Sequence, residues 1–193
     1  MNTITTTLTT IAQFSDDMTK RYLLRKEWNT DLPSLAIIML APSQASGIEL
    51  DNTTMLVINN ASRLGYGSVS IVNLFSTLDN SWNSVLNDRD EENIKIISDV
   101  ASSADTIVYA AGVGKATNKT FIQRQHDVLN AIKIHEDKLM CLSDKDGNSR
   151  FQHPLSPSVR TWYLSPMRVS ELTEVSIVPS ESVGKKRGRP HKQ

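Results

Sequence analysis

Four short apolar runs divide the chain: "LAIIML" (35–40), "SVSIVNLF" (68–75), "DTIVYAAG" (105–112) and "KLMCLS" (138–143). Each is bounded by turn residues and lacks the polar alternation of a half-exposed strand, so each reads as a strand covered on both faces. Between them lie "NTTMLVINNASRLGYG" (52–67), stopped at Gly65, "DEENIKIISDVASSA" (90–104), with acids in its first turn, and "NKTFIQRQHDVLNAIKIH" (118–135). Their apolar residues recur at helical spacing. Strand and helix in strict alternation predict an α/β domain: a three-layer sandwich around a mostly parallel central sheet of about four strands with right-handed crossovers.

Ahead of this pattern, residues 4–12 alternate apolar and Thr, and "RYLLRKEW" (21–28) returns after the turn-rich "SDDMTK". These predict an antiparallel hairpin over residues 1–30 leading into the α/β domain of 31–170, with a linker over 171–184 and a basic tail over 185–193. No stretch approaches 18 apolar residues and the amino end lacks a basic segment followed by an apolar one, so neither a membrane span nor export is expected. One cysteine, Cys141, excludes an internal disulfide and suits a cytoplasmic protein.

In open parallel sheets, ligands bind outside the carboxyl ends of the strands. The segments there are "APSQAS" (41–46), "NLFST" (73–77), "GVGK" (112–115) and "SDKDGNSRFQHPLSPS" (143–158). "GVGK" is not a triphosphate loop, because Tyr109 stands where that motif needs its first Gly and Ala116 where it needs Ser or Thr. Gly112 reads as a tight turn or a close approach to ligand. Asn73 ends an apolar run, either as a turn or cap residue or as a carboxamide offering both hydrogen-bond types to a nucleobase edge. His153, stiffened by Pro154 and Pro157, is either a surface group or a preorganised donor to developing negative charge. Asp51, with Thr53 and Thr54 behind it, reads as a helix N-cap. Ser43 lacks the surroundings of a hydrolase nucleophile. No metal ligands stand at the right spacing and no cofactor is indicated.

In order, "RYLLRKEW", "IIMLAPSQAS" with "DNTT", "GYGSVSIVNLFS", "YAAG" and "HPL" resemble the bacterial and phage family known as domain of unknown function 1643, over roughly residues 14–165. Asp51, Gly65, Gly67, Asn73, His153 and Pro154 match its pattern, while Ala41 and Ala111 stand where it usually has Asn and Trp. More distantly, the motif order is similar to the uracil-DNA glycosylase superfamily. That resemblance implies a glycosylase-like fold with Pro42, Gly112 and Pro154 at the cleft, where Ser43, Asp51 and Thr53, on the loop and helix start after the first strand, are further ligand-binding candidates. Asn73 would read a flipped-out base, and His153 would bond the carbonyl oxygen that gains charge as the glycosidic bond breaks.

The tail resembles an AT-hook: Arg187-Gly188-Arg189-Pro190 flanked by Lys185, Lys186 and Lys192. Gly lets the backbone lie deep in a narrow groove, and two guanidinium groups can run along A·T acceptors without meeting a guanine amino group. The chain has 21 basic and 21 acidic residues; taking the tail's five from the 21 basic ones leaves 16, so the body is acidic. Any attraction to DNA must then be local to the tail. The expected partners are A·T-rich DNA, through the tail, and a nucleotide or modified base in the cleft, with nucleoid association as the result. A non-catalytic DNA-binding module and a small-molecule nucleotide enzyme are the alternatives.

Overall fold

In the computed structural model, residues 1–43, 47–79, 81–112, 118–148 and 150–175 are described. The strands are β1 (Thr9–Phe14), β2 (Arg21–Glu27), β3 (Ser34–Met39), β4 (Ser68–Asn73), β5 (Thr106–Tyr109), β6 (Leu139–Ser143) and β7 (Tyr163–Pro166). The helices are α1 (Asn52–Arg63), α2 (Trp82–Asn87), α3 (Glu91–Ser103), α4 (Lys119–Ile132) and α5 (Val169–Val175).

The seven strands of the described residues form one sheet in the order β1-β2-β4-β3-β5-β6-β7. The pairs β4-β3, β3-β5 and β5-β6 are parallel. The hairpin β1-β2 does not stand apart: β2 pairs antiparallel with β4, extending the same sheet. At the other edge β7 pairs antiparallel with β6.

The central strands are buried on both faces and so need cover on both sides. Leu35, Ile37, Met39, Val69, Ile71, Val108 and Ala110 pack with Val57 and Ala61 of α1 and with Val159 and Trp162. Ala36, Ile38, Val72, Ile107 and Tyr109 pack with Ile97 of α3, Phe121 and Val128 of α4 and Leu172 of α5. Helix α5 carries the described chain to Val175, with Leu172 in the core. The tail, Lys185 to Gln193, lies outside the described residues.

The chain leaves β3 towards β4 on one side, then crosses back to place β5 on the other. Such a reversal opens a crevice beyond the carboxyl ends of the two diverging strands, β3 and β5. At the opposite edge Gly67 closes a crowded turn: its carbonyl accepts from Trp28 N and Asn29 N, and its N–H donates to Pro33 O at 2.8 Å.

Candidate functional site

Asn73 ends β4 beside Met39 of β3. Strand alternation puts its side chain on the face of Ile71 and Val69, beneath α1. The residue is 1% exposed, and among the described residues its Nδ2 has no acceptor. A buried amide donor left without a partner costs about 1–3 kcal/mol, and an incoming acceptor recovers that cost.

The backbone around it is fixed from three directions. Asn93 of α3 donates its Nδ2 to Asn73 O at 2.9 Å and Leu74 O at 3.3 Å. Arg124 of α4 donates Nε to Leu74 O at 2.6 Å and Nη2 to Asp90 O at 2.9 Å. The buried Asp88 carboxylate accepts from Ser76 N at 2.6 Å, Ser76 Oγ at 2.9 Å and Thr77 N at 3.0 Å. Segment 73–77 is thus preorganised before any ligand arrives.

Above this floor stands the amino end of α1. Asp51 is its N-cap, accepting from Thr54 N at 2.6 Å, as the sequence predicted. Burial pulls the Asp51 pKa up, but the Ser43 hydroxyl, the Thr54 amide and the Arg21 charge outweigh it, so the carboxyl is held below its ordinary value. Arg21, 1% exposed at the start of β2, donates Nη1 to Ser43 O at 3.2 Å. Burial works against its charge and Asp51 supports it. Lys26, also 1% exposed, donates to Thr10 Oγ1 at 2.8 Å and to Gly47 O, and burial lowers its pKa. Two cations of β2 therefore strap the segment between β3 and α1 at Ser43 and Gly47. Neither was singled out in the sequence, where they stand inside a strand.

His153 lies half-buried on the segment after β6. Burial lowers its pKa below the ordinary histidine value, with Asp51 acting in the opposite direction. Its Nδ1 accepts from Leu155 N at 3.2 Å. In a neutral ring that assigns the proton to Nε2, leaving one N–H to donate. Pro154 is buried behind it, and Phe151, with φ of 58°, is anchored in the core. A bulky residue in the left-handed region is strained, and such strain persists only where packing over-determines it.

Among the other sequence candidates, Pro42 is buried directly after β3, Thr53 is half-buried in the first turn of α1, and Gly112 makes the turn out of β5 with φ of 76°. Arg21, Ser43, Asp51 and His153 are brought into one electrostatic group at the carboxyl edge, the edge at which Asn73 ends β4. Residues 44–46 and 113–117, which include Gln44, Gly114 and Lys115, lie outside the described residues. So do the AT-hook residues Lys185, Lys186, Arg187, Gly188, Arg189, Pro190 and Lys192. Among the described residues no three His, Cys, Asp or Glu side chains converge to hold a metal, and no helix is long and apolar enough to cross a membrane.

This is an α/β protein with a candidate ligand site at the switch point of a mixed sheet. The family model described as Protein of unknown function (DUF1643) matches residues 21–155, well over half of the chain, and the chain belongs to that family. The matched span begins at Arg21 and includes Asn73, Asp51 and His153. No curated protein and no solved structure matches the chain.

Proposed function

We propose that this protein acts on, or recognises, a nucleobase or nucleotide in a glycosylase-like cleft, in association with DNA. The observation that carries the reading is the Asn73 carboxamide, buried at the end of β4 with a donor that has no acceptor among the described residues. A ligand carbonyl at the floor of the cleft would satisfy it. The resemblance of the motif order to the uracil-DNA glycosylase superfamily supports the same reading, as does the parallel order β4-β3-β5-β6 with its crevice at β3 and β5.

The chemistry is heterolysis of the bond between base nitrogen and sugar carbon. The electron pair passes to the base and appears on its carbonyl oxygen, where the Nε2–H of neutral His153 donates a hydrogen bond. Water then adds to the sugar carbon and loses its proton to solvent. A neutral donor stabilises the developing anion without having to be desolvated as a cation first. In duplex DNA the base must be extruded to reach Asn73. The tail, as an AT-hook, would hold A·T-rich duplex near the cleft and raise the local substrate concentration.

A second reading, recognition without cleavage, is favoured by one observation. Ser43 and Asp51, polar groups of the segment after β3, are engaged with each other and with Arg21, so neither stands ready to activate water.

The test is binding of free nucleobases and nucleosides by calorimetry to the whole protein and to Asn73→Ala. A carbonyl-bearing base should bind the parent protein and lose at least about tenfold in affinity in the variant. Equal binding to both would remove Asn73 from the site and with it the reading.

A further inference from the structure

Helix α1 carries an asparagine on its buried face, Asn60, whose side chain is fully engaged. Its Nδ2 donates to Leu56 O at 2.9 Å and to Arg160 O at 3.0 Å, and its Oδ1 accepts from Trp162 N at 3.0 Å. Arg63, one turn on, donates Nη2 to Trp162 O at 2.7 Å and to Asn60 Oδ1 at 3.3 Å. A side-chain amide that bonds both an N–H and a C=O of a passing segment fixes that segment's position along the helix, as a neighbouring strand would.

The segment so held leads back to His153 without slack. Ser156 N donates to His153 O at 2.8 Å, and Val159 N to Ser156 O at 3.0 Å. Pro154 is buried, Pro157 opens a short 3-10 turn, and Val159 and Trp162 are buried against α1. Residues 153–162 therefore form a stiff bracket anchored at Asn60. The same helix begins at Asp51, nine residues earlier, or about 13 Å along the axis. One rigid element thus carries both the carboxylate that acts on His153 and the anchor of the bracket that bears it.

We propose that Asn60, backed by Arg63, is a positioning residue for His153: it sets the bracket in register on α1 and so fixes where the imidazole stands relative to Asp51. The purpose of that placement rests on the proposed function; the placement itself does not. Among the described residues, the charged group acting on the ring is Asp51 from α1 with Arg21 from β2 behind it, while Arg150 on the ring's own segment is paired with Glu171 at 2.6 Å.

The experiment is histidine nitrogen NMR on the whole chain, parent and variants, reading the tautomer and titration midpoint of His153. His126 and His135 serve as internal references. In folded Asn60→Ala, the ring should lose its single-tautomer signature, and its midpoint should rise towards that of a solvated imidazole. Arg63→Ala, which cuts the bond to Trp162 O from an exposed position, should move both in the same direction by less, and Arg63→Lys should return them part of the way. If Asn60→Ala does not fold, the two Arg63 variants decide. An unchanged His153 in a folded Asn60→Ala, or in Arg63→Ala when that variant alone folds, overturns the proposal, because a merely structural pin would lower stability without altering the ring. Product assays on DNA are a separate readout, so failure of the proposed chemistry and failure of this placement are told apart.

Discussion

Asn73 presents a residue whose backbone is fixed by Asn93 while its Nδ2 has no acceptor among the described residues. Removing an unsatisfied buried donor takes away a cost as well as packing, so Asn73→Ala should change unfolding free energy by no more than about 1 kcal/mol while weakening nucleobase binding at least about tenfold. Chemical denaturation beside calorimetry checks both halves. Gly67 is the opposite case: a Cβ there would meet Asn29 O at 1.8 Å, backbone that cannot swing aside. Gly67→Ala should cost about 3 kcal/mol or more, read as a lower denaturation midpoint with activity per folded molecule intact. His153 sets a pH dependence. Its folded pKa is lowered by burial, so between that value and the unfolded value near 6.5 the unfolded chain binds more protons. The stability that neutral His153 contributes is present above the unfolded value and is lost as pH falls from it towards the folded one. His153→Gln should flatten the corresponding slope of stability against pH.

At the scale of elements, Asp88 joins the end of β4 to the start of α3 by accepting two backbone amides and the Ser76 hydroxyl, with Lys20 Nζ at 3.7 Å from its other oxygen. Asp88→Ala strands those amides and should cost about 3 kcal/mol, loosening the segment after Asn73. Amide hydrogen exchange at Ser76 and Thr77 should accelerate more than at β3. The central strands and the three longer helices were legible because burial on both faces leaves unbroken apolar runs and amphipathic helices leave a period. Strand β7 was not, since Tyr163–Pro166 is a half-exposed edge strand ending in proline. Helix α2, six residues long, is too short to show a period. Arg124 and Asn60 carried a readable signal: Arg124 stands three after Phe121 and four before Val128, and Asn60 three after Val57, each in step with the buried face of its helix. A polar residue there must find a buried partner. The partners themselves were not readable, because Asn60 meets Arg160 and Trp162 a hundred residues away.

Over the whole molecule, charge is divided between an acidic body and a basic end. Deleting residues 185–193 removes five basic residues and should weaken binding to A·T-rich duplex. It should also lower the slope of log affinity against log salt by up to about four. Nucleobase affinity should be unchanged, since Asn73, Asp51 and His153 all lie outside the deleted segment. His153 was legible as a candidate because two prolines flank its segment, but Arg21 was not, because the strands that bring it to Ser43 are joined only by the folded sheet. Base removal is read directly by mass spectrometry of short A·T-rich duplexes carrying normal, uracil or hydroxymethyluracil bases, after incubation with the parent protein and with His153→Ala. One duplex should lose the mass of its base, leaving an abasic strand, and the loss should disappear with the variant. Duplexes that all keep their mass while demonstrably bound would contradict cleavage in this cleft and leave recognition as its function.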